Sequence, residues 1–149
     1  MARHGEQEPP PPRPAQPSTE KKILIVDDDP QVVEVLRRFL EKSSKDYIVQ
    51  AASTGEEAVA SLHLDPPDLV LLDINMPGMN GLDVLKQINR TIAVIMVTGN
   101  TDAAPAEALK LGAFAYIPKP FDMVYVEQLV PLALMQRRVP QAWVSRSGV

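Results

Sequence analysis

The chain has 149 residues, ordinary hydrophobic (45%) and charged (23%) fractions and a formal net charge of −4, which suits one domain with its own core and lacks the basic footprint of nucleic-acid-binding proteins. It contains no cysteine, which excludes disulfides and thiolate metal sites and is typical of a reducing compartment. Because the N-terminal sequence MARHGEQE has no apolar signal-peptide core and no apolar run approaches the ~18 residues that span a bilayer, we expect a cytoplasmic protein with no membrane segment.

Residues 1–20 differ in composition from the rest of the chain. The stretch EPPPPRPAQPSTE holds six of the 15 prolines and almost no apolar side chains, which predicts a disordered tail with polyproline-II character. Its PxxP spacings could dock on an aromatic groove. Short proline runs satisfy that spacing by chance, so an inert tail is the preferred interpretation.

From Lys21 onward, apolar runs of strand length alternate with amphipathic segments. The predicted strands are KILIV (22–26), YIVQA (47–51), DLVLLD (68–73), IAVIMV (92–97) and AFAYI (113–117). The predicted helices are an apolar-periodic segment from Val32 to Leu40, STGEEAVASLH (53–63), GLDVLKQIN (81–89), DAAPAEALKL (102–111) and a last helix from Met123 to about Arg138. Five strands alternating with five helices favour a parallel sheet that has helices on both faces.

Polar side chains follow several of the predicted strands, and in such folds ligands bind at the carboxyl ends of the strands. These residues are Asp27, Asp28 and Asp29 after the first strand, Ser53 and Thr54 after the second, Asp73 after the third, Thr98 after the fourth and Lys119 after the fifth. Asp29 precedes Pro30 and is expected to cap the following helix. Ser53 and Thr54 open two overlapping capping boxes, with Glu56 and Glu57, and are expected to be structural.

The remaining carboxylates predict a site for a hard cation. Clustered carboxylates repel one another unless a cation lies between them. Mg²⁺ takes oxygen ligands and usually binds through one or two carboxylates and a substrate phosphate. Asp28 and Asp73 are the expected direct ligands, and Asp27 acts through water or holds Asp28 in place.

The same residue types suit phosphoryl transfer. A carboxylate such as Asp73 can act as the nucleophile and give an aspartyl phosphate. Transfer of this kind depends on positioning and countercharge, which Lys119 and the Thr98 hydroxyl would supply. Gly99 has no side chain, so a backbone N–H could approach an anion closely.

Four motifs together resemble the receiver domain of two-component response regulators. They are ILIVDDDP, DLVLLDINMPGMNGLDVL, VIMVTGN and ALKLGAFAYIPKPF, and they cover most of the chain between Lys21 and about Arg138. The resemblance implies a flavodoxin-like, doubly wound (βα)5 fold with a five-stranded parallel sheet of order 2-1-3-4-5. The expected organisation is a tail at 1–20, a receiver domain at 21–138 and a second tail at 139–149.

The resemblance also implies a metal-dependent acceptor site. Asp73 matches the aspartate that accepts the phosphoryl group. Asp27 and Asp28 match the acidic pair that holds Mg²⁺ (or Mn²⁺). Asn75 matches the position whose backbone carbonyl completes the metal site.

Three further matches concern the response to phosphorylation. Thr98 matches the hydroxyl residue that contacts the phosphoryl group and moves on activation, and Tyr116 matches the aromatic residue whose rotamer reports that movement. Lys119 matches the lysine beside the phosphate, and its bond to Pro120 is typically cis in the family. His4 and His63 lack acidic or histidine partners at ligand spacing, and we assign them no chemistry; Trp143 has no assigned role either.

Two departures from the family pattern concern the partner surface. The segment NRTIAVIM makes a short connection between the third helix and the fourth strand. The last helix contains Pro131, which is expected to kink it, and it is apolar on all sides. Its outer side could be an interaction surface, since receivers commonly meet partners or dimerise through the last two helices and the fifth strand.

The expected function is therefore a non-enzymatic switch that assists its own phosphorylation and dephosphorylation. A sensor histidine kinase or a histidine phosphotransfer protein would donate to Asp73, and an unknown downstream protein, rather than nucleic acid, would respond. With no output domain after Arg138, we expect a stand-alone receiver; the alternatives are an N-terminal fragment of a larger regulator or a phosphorylation-independent interaction module. A metal-dependent phosphatase is a further alternative, but it usually needs an acid where Asn75 stands.

Overall fold

The computed structural model describes residues 9–11, 19–99 and 104–136, and the fold is a five-stranded parallel sheet between two layers of helices. The strands are β1 (Lys21–Val26), β2 (Tyr47–Ala52), β3 (Leu69–Leu72), β4 (Ala93–Thr98) and β5 (Ala115–Pro118). The helices are α1 (Pro30–Ser43), α2 (Gly55–Leu64), α3 (Gly81–Gln87), α4 (Ala104–Lys110) and α5 (Met123–Met135). The sheet order is β2-β1-β3-β4-β5 with every pair parallel, so the expected fold is confirmed.

The central strands are apolar along their length because both faces of the sheet are covered. Every residue of β3 and β4 is buried. Alternate residues of the strands belong to two separate clusters, one under α2, α3 and α4 and the other under α1 and α5. This core fixes the carboxyl ends of the strands at one edge of the sheet, where the polar residues follow.

Side-chain caps start helices α1, α2, α3 and α5 at defined residues. Asp29 caps α1, and its carboxylate accepts a hydrogen bond of 2.9 Å from the backbone N–H of Gln31. Pro30 occupies the first turn of α1, where no backbone donor is needed. The capping role predicted for Asp29 is confirmed, and the cap directs its carboxylate to the helix.

The predicted boundaries differ from the observed ones by up to three residues. Helix α3 ends at Gln87 because the Asn89 side chain accepts bonds from the Thr91 N–H and hydroxyl at 2.9 and 3.0 Å, which forms a turn. Of the two overlapping capping boxes, the one observed has Thr54 as the cap of α2, accepting from the Glu57 N–H at 3.0 Å. The pairing of Ser53 with Glu56 was wrong, because Ser53 instead donates to the Glu57 carboxylate.

Helix α5 contains Pro131 and buries Val126, Val130 and Ala133. Its predicted last turn, up to Arg138, lies outside the described residues, as do Trp143, His4, the second tail and most of the first. No helix in the described part of the chain combines the length and apolar character that a membrane crossing requires.

Candidate functional site

Hydrogen bonds of the sheet place Asp27 and Asp73 side by side. Val26 and Leu72 are partners in the pairing of β1 with β3, so the residues that follow them leave the sheet together. The Asp73 N–H donates to the Val26 carbonyl at 2.9 Å, and the Asp27 N–H donates to the Ala52 carbonyl at 3.1 Å. Both carboxylates therefore start from backbone that is fixed by the core strands.

Asp27, Asp28 and Asp73 form a carboxylate cluster in which one oxygen from each residue lies within 4.8 Å of the others. Asp27 and Asp73 are almost fully buried, at 3% and 4% exposed, while Asp28 is exposed. The Asp27 carboxylate also accepts from the Asp29 N–H at 2.9 Å, which orients it. Among the described residues, this is the one group of three or more such side chains that could hold a metal ion.

Lys119 supplies the positive charge beside this cluster. Its Nζ donates to Asp27 Oδ2 at 2.7 Å and to Asp73 Oδ2 at 3.3 Å. Its backbone N–H donates to the Thr98 carbonyl at 2.9 Å, which ties the end of β5 to the end of β4. The Lys119–Pro120 peptide bond is cis, as the resemblance implied.

Burial and charge shift two pKa values at the site. Burial raises the pKa of the Asp73 carboxyl above its ordinary value, the Asp27 charge adds to that rise, and Lys119 opposes it. Burial alone would lower the pKa of Lys119, but its bond to Asp27 and the charge of Asp73 outweigh that effect and raise it. Lys119 therefore carries its charge throughout the physiological range.

Thr98 and Tyr116 lie on the same side of the sheet. Tyr116 pairs with Met96 and Pro118 pairs with Thr98, so side chains two residues apart share a face. Thr98 is 1% exposed and Tyr116 is 43% exposed. Together, Asp27, Asp73 and Thr98 are the buried polar residues of the described chain, and all three follow or end a central strand.

The backbone of Asn75 is hydrogen-bonded to the Asp73 side chain. Its N–H donates to Asp73 Oδ1 at 3.1 Å, and the Asn75 side chain is exposed.

Other residues noted in the sequence stay apart from the site. Thr54 serves the cap of α2, and His63 is exposed on α2. A Cβ on Gly99 would meet only the Lys119 side chain, at 3.8 Å, so space alone does not require a glycine there.

Gly81 contacts the site and was missed by the sequence reasoning. A Cβ on this residue would lie 2.1 Å from the Asp73 carbonyl oxygen and 2.7 Å from the Ile74 Cα. The available signal was a glycine at the first position of a helix, directly after the cap Asn80. That position rarely requires glycine for its backbone conformation, so its presence points to a close approach.

The chemistry of the donor set fits a hard divalent cation. Three carboxylate oxygens suit Mg²⁺ or Mn²⁺, and the cluster offers no thiolate or imidazole for a softer metal. Two of the carboxylates are buried with a single ammonium group between them, so a cation would also relieve their repulsion.

Comparison with known proteins identifies the family. The model of the response regulator receiver domain matches residues 23–130. The chain belongs to the response regulator receiver family. It is thus a signalling domain of two-component systems, and the expectation drawn from its four motifs is confirmed.

Several curated relatives are transcriptional regulators. The DNA-binding transcriptional regulator NtrC of Salmonella typhimurium is 44% identical over 84 residues, which are 54% of this chain and 18% of NtrC. The transcriptional regulatory protein KdpE of Mycobacterium tuberculosis is 38% identical over 97 residues, 63% of this chain and 42% of KdpE. The chain thus spans less than half the length of either relative.

Similar solved structures are receiver domains that this chain covers over nearly their whole length. A CheY-like receiver domain from Methanospirillum hungatei JF-1 superposes with a TM-score of 0.71 at 32% identity, over 77% of this chain and 94% of that one. The receiver domain of a DNA-binding response regulator from Colwellia psychrerythraea 34H gives 0.72 at 31% identity, over 78% and 100%. The family match at residues 23–130 thus spans the sheet from Ile23 in β1 to the end of β5.

Proposed function

We propose that this receiver is a phosphorylation-dependent switch that accepts a phosphoryl group on Asp73. The observation that carries the proposal is the placement of the buried Asp73 carboxylate against Asp27 and Lys119, with Asp28 at the open side. Burial keeps water from competing for the carboxylate, and the ammonium group of Lys119 offers countercharge for incoming phosphoryl oxygens.

A phosphohistidine is the expected donor of the phosphoryl group. A carboxylate oxygen of Asp73 forms a bond to phosphorus while the phosphorus–nitrogen bond of the donor breaks, and the electron pair of that bond stays on the imidazole nitrogen. Lys119 stabilises the charge on the phosphoryl oxygens. Asp27, Asp28, Asp73 and the Asn75 carbonyl would hold Mg²⁺ or Mn²⁺, which supplies charge stabilisation to both the carboxylates and the phosphoryl group.

The response to phosphorylation involves Thr98 and Tyr116. A phosphoryl group adds negative charge and strong acceptors, and the Thr98 hydroxyl is a donor at the neighbouring strand end. Movement of Thr98 toward the phosphoryl group frees space on the face that it shares with Tyr116. The half-exposed ring would then take a more buried rotamer, which changes the outer surface of β5.

Receivers of this family interact with histidine kinases or phosphotransfer proteins, and we propose that one of these is the donor here. The responding surface would lie on α4, β5 and α5, where large apolar side chains are exposed: Leu109, Tyr116, Val124, Tyr125, Leu132 and Met135. A downstream protein or a second receiver would cover them. Action without an output domain, a cytoplasmic location and the division into residues 1–20, 21–138 and 139–149 stay predictions.

Binding of beryllofluoride, a phosphoryl mimic, tests the proposal. With Mg²⁺ present, beryllofluoride should shift the backbone amide resonances of residues near Asp73 and Thr98, and the shifts should disappear in Asp73→Asn. Mg²⁺ affinity should also fall in that variant, since one of the carboxylate ligands is lost. Asp29→Ala is the matched control and should respond like the wild type. Identical responses from the wild type and Asp73→Asn would refute the proposal.

Two alternatives remain distinguishable. If the domain is a phosphorylation-independent module, Asp73→Ala will bind a downstream partner as the wild type does. If it is a phosphatase, it will hydrolyse a small phosphate ester with steady turnover. The exposed Asn75 side chain, where a phosphatase needs an acid, disfavours turnover.

A further inference from the structure

The first turn of α3 lies directly against the backbone of the acceptor residue. The Gly81 N–H donates to the Ile74 carbonyl at 2.9 Å, and an ideal Cβ on Gly81 would lie 2.1 Å from the Asp73 carbonyl oxygen and 2.8 Å from its carbonyl carbon. The φ of Gly81 is not in the positive region, unlike that of Gly78 and Gly112. Glycine is therefore required here for space and not for backbone conformation.

The crowded atoms on the other side of this contact cannot move aside cheaply. They belong to the backbone of Asp73 and Ile74 and not to a flexible side chain. The Asp73 N–H is bound to Val26, and the Ile74 and Met76 side chains are 4% and 7% exposed. A side chain on Gly81 would therefore displace either the start of α3 or the segment that carries the acceptor.

We propose that Gly81 is a positioning residue for phosphorylation: the missing side chain lets α3 fix the Asp73 and Ile74 backbone, and through it the Asp73 carboxylate. The inference rests on the proposed function. Asn75 follows in the same segment and bonds to Asp73 Oδ1, so one displacement would disturb both the acceptor and the expected metal carbonyl. Misplacement of reacting groups by about 1 Å can cost about a hundredfold in rate.

Gly55 provides a matched control. A Cβ on Gly55 would lie 2.7 Å from the Met79 Cβ and 2.9 Å from the Met79 carbonyl oxygen. It would therefore crowd the backbone of the same connection, between β3 and α3, but its three nearest contacts all belong to Met79 and none to Asp73. Gly55→Ala should destabilise the fold by crowding, as Gly81→Ala does, without touching the acceptor residue.

The test compares the full chain with Gly81→Ala and Gly55→Ala. Urea unfolding gives the folded fraction of each, and Mg²⁺ affinity and the rate of phosphorylation by acetyl phosphate are then expressed per folded molecule. We expect both quantities to fall at least about tenfold in Gly81→Ala, in line with the sensitivity of rates to misplacement, and to stay near wild type in Gly55→Ala. A purely structural role would change stability and leave both normalised quantities unchanged.

Three outcomes would overturn the inference. They are wild-type values per folded molecule in Gly81→Ala, equal losses in the two variants, or a Gly81→Ala protein that does not fold although Gly55→Ala does, since Gly81 would then be a core residue only. A wild-type chain that takes up no phosphoryl group would instead refute the proposed function itself, so the two failures are distinguishable.

Discussion

Lys119 lies closer to Asp27 than to Asp73: its Nζ is 2.7 Å from Asp27 Oδ2 and 3.3 Å from Asp73 Oδ2. The ammonium group therefore neutralises a member of the acidic pair as well as the proposed acceptor. A cation that binds these carboxylates must share them with Lys119. Several properties of the site follow from this competition.

Replacement of Lys119 by methionine should tighten Mg²⁺ binding. Without the ammonium group, two buried carboxylates face each other with no partner charge, so the metal-free protein should lose stability, by about 3 kcal/mol or less because the lysine is partly exposed. Mg²⁺ should restore that stability, and the gain in melting temperature on adding Mg²⁺ should exceed that of the wild type. Phosphorylation should nevertheless be slower, because the countercharge is gone.

The control for this variant is Lys86→Met, which removes an exposed lysine near the end of α3. It should leave both the Mg²⁺ response and the phosphorylation rate unchanged. Equal or weaker Mg²⁺ binding by Lys119→Met would show that the competition does not occur.

The raised pKa of Asp73 predicts a pH dependence of stability in metal-free protein. Because the folded state favours the protonated carboxyl, this residue contributes stability at acidic pH, below its unfolded pKa, and the contribution is lost as pH rises through the folded pKa. Asp73→Asn has no such group. As pH rises from about 4 to 7, the wild type should therefore lose stability relative to Asp73→Asn, so the free energy of unfolding of the variant minus that of the wild type should increase.

Urea unfolding of both proteins in chelator, across that range, measures the difference. A constant difference between the two proteins would mean that Asp73 ionises as easily in the folded chain as in the unfolded one. The prediction concerns the metal-free protein only, since a bound cation would favour the charged carboxylate.

Adjacent aspartates should separate metal binding from helix capping. Asp28→Ala should weaken Mg²⁺ binding severely, since its carboxylate is in the cluster and does not cap α1. Asp29→Ala should cost about 1 kcal/mol of stability through loss of the cap and should keep the stabilisation by Mg²⁺. Thermal melts with and without Mg²⁺ distinguish the two variants. Loss of the Mg²⁺ response in Asp29→Ala, with the response kept in Asp28→Ala, would contradict the roles assigned here.

Thr98→Val should uncouple phosphorylation from the change at β5. The variant keeps the shape of the buried side chain and removes its hydroxyl, so Asp73 should still react. The amide resonances of Tyr116 and its neighbours, which shift on beryllofluoride binding in the wild type, should then move little. Wild-type shifts in β5 of the variant would show that the hydroxyl does not transmit the signal.

The sequence predicted the sheet, and the clustering of carboxylates at its edge, where the signal was local. The apolar runs that became β1, β3 and β4 are covered on both faces, which is why each was readable as a strand. The polar residues that follow these strands could be predicted to cluster because parallel strands end at one edge of a sheet. The capping role of Asp29 was also predictable from a local pattern, since Pro30 directly follows it.

Long-range contacts could not be predicted from local sequence patterns. No local pattern says that Lys119 would bond Asp27 more closely than Asp73, because 92 residues separate that pair and side-chain packing decides it. The steric demand at Gly81 likewise depends on how α3 approaches the backbone of Asp73 and Ile74. The end of α3 at Gln87 was misjudged because the apolar pattern continues into a turn that the Asn89 side chain makes.

The most direct test of the account is the site of phosphorylation. The full chain is incubated with acetyl phosphate and Mg²⁺, and mass spectrometry follows the uptake of phosphoryl groups and maps them to a residue. We expect one phosphoryl group, on Asp73, which is absent in Asp73→Asn and in the absence of Mg²⁺. Uptake that persists in Asp73→Asn, or no uptake by the wild type, would contradict it.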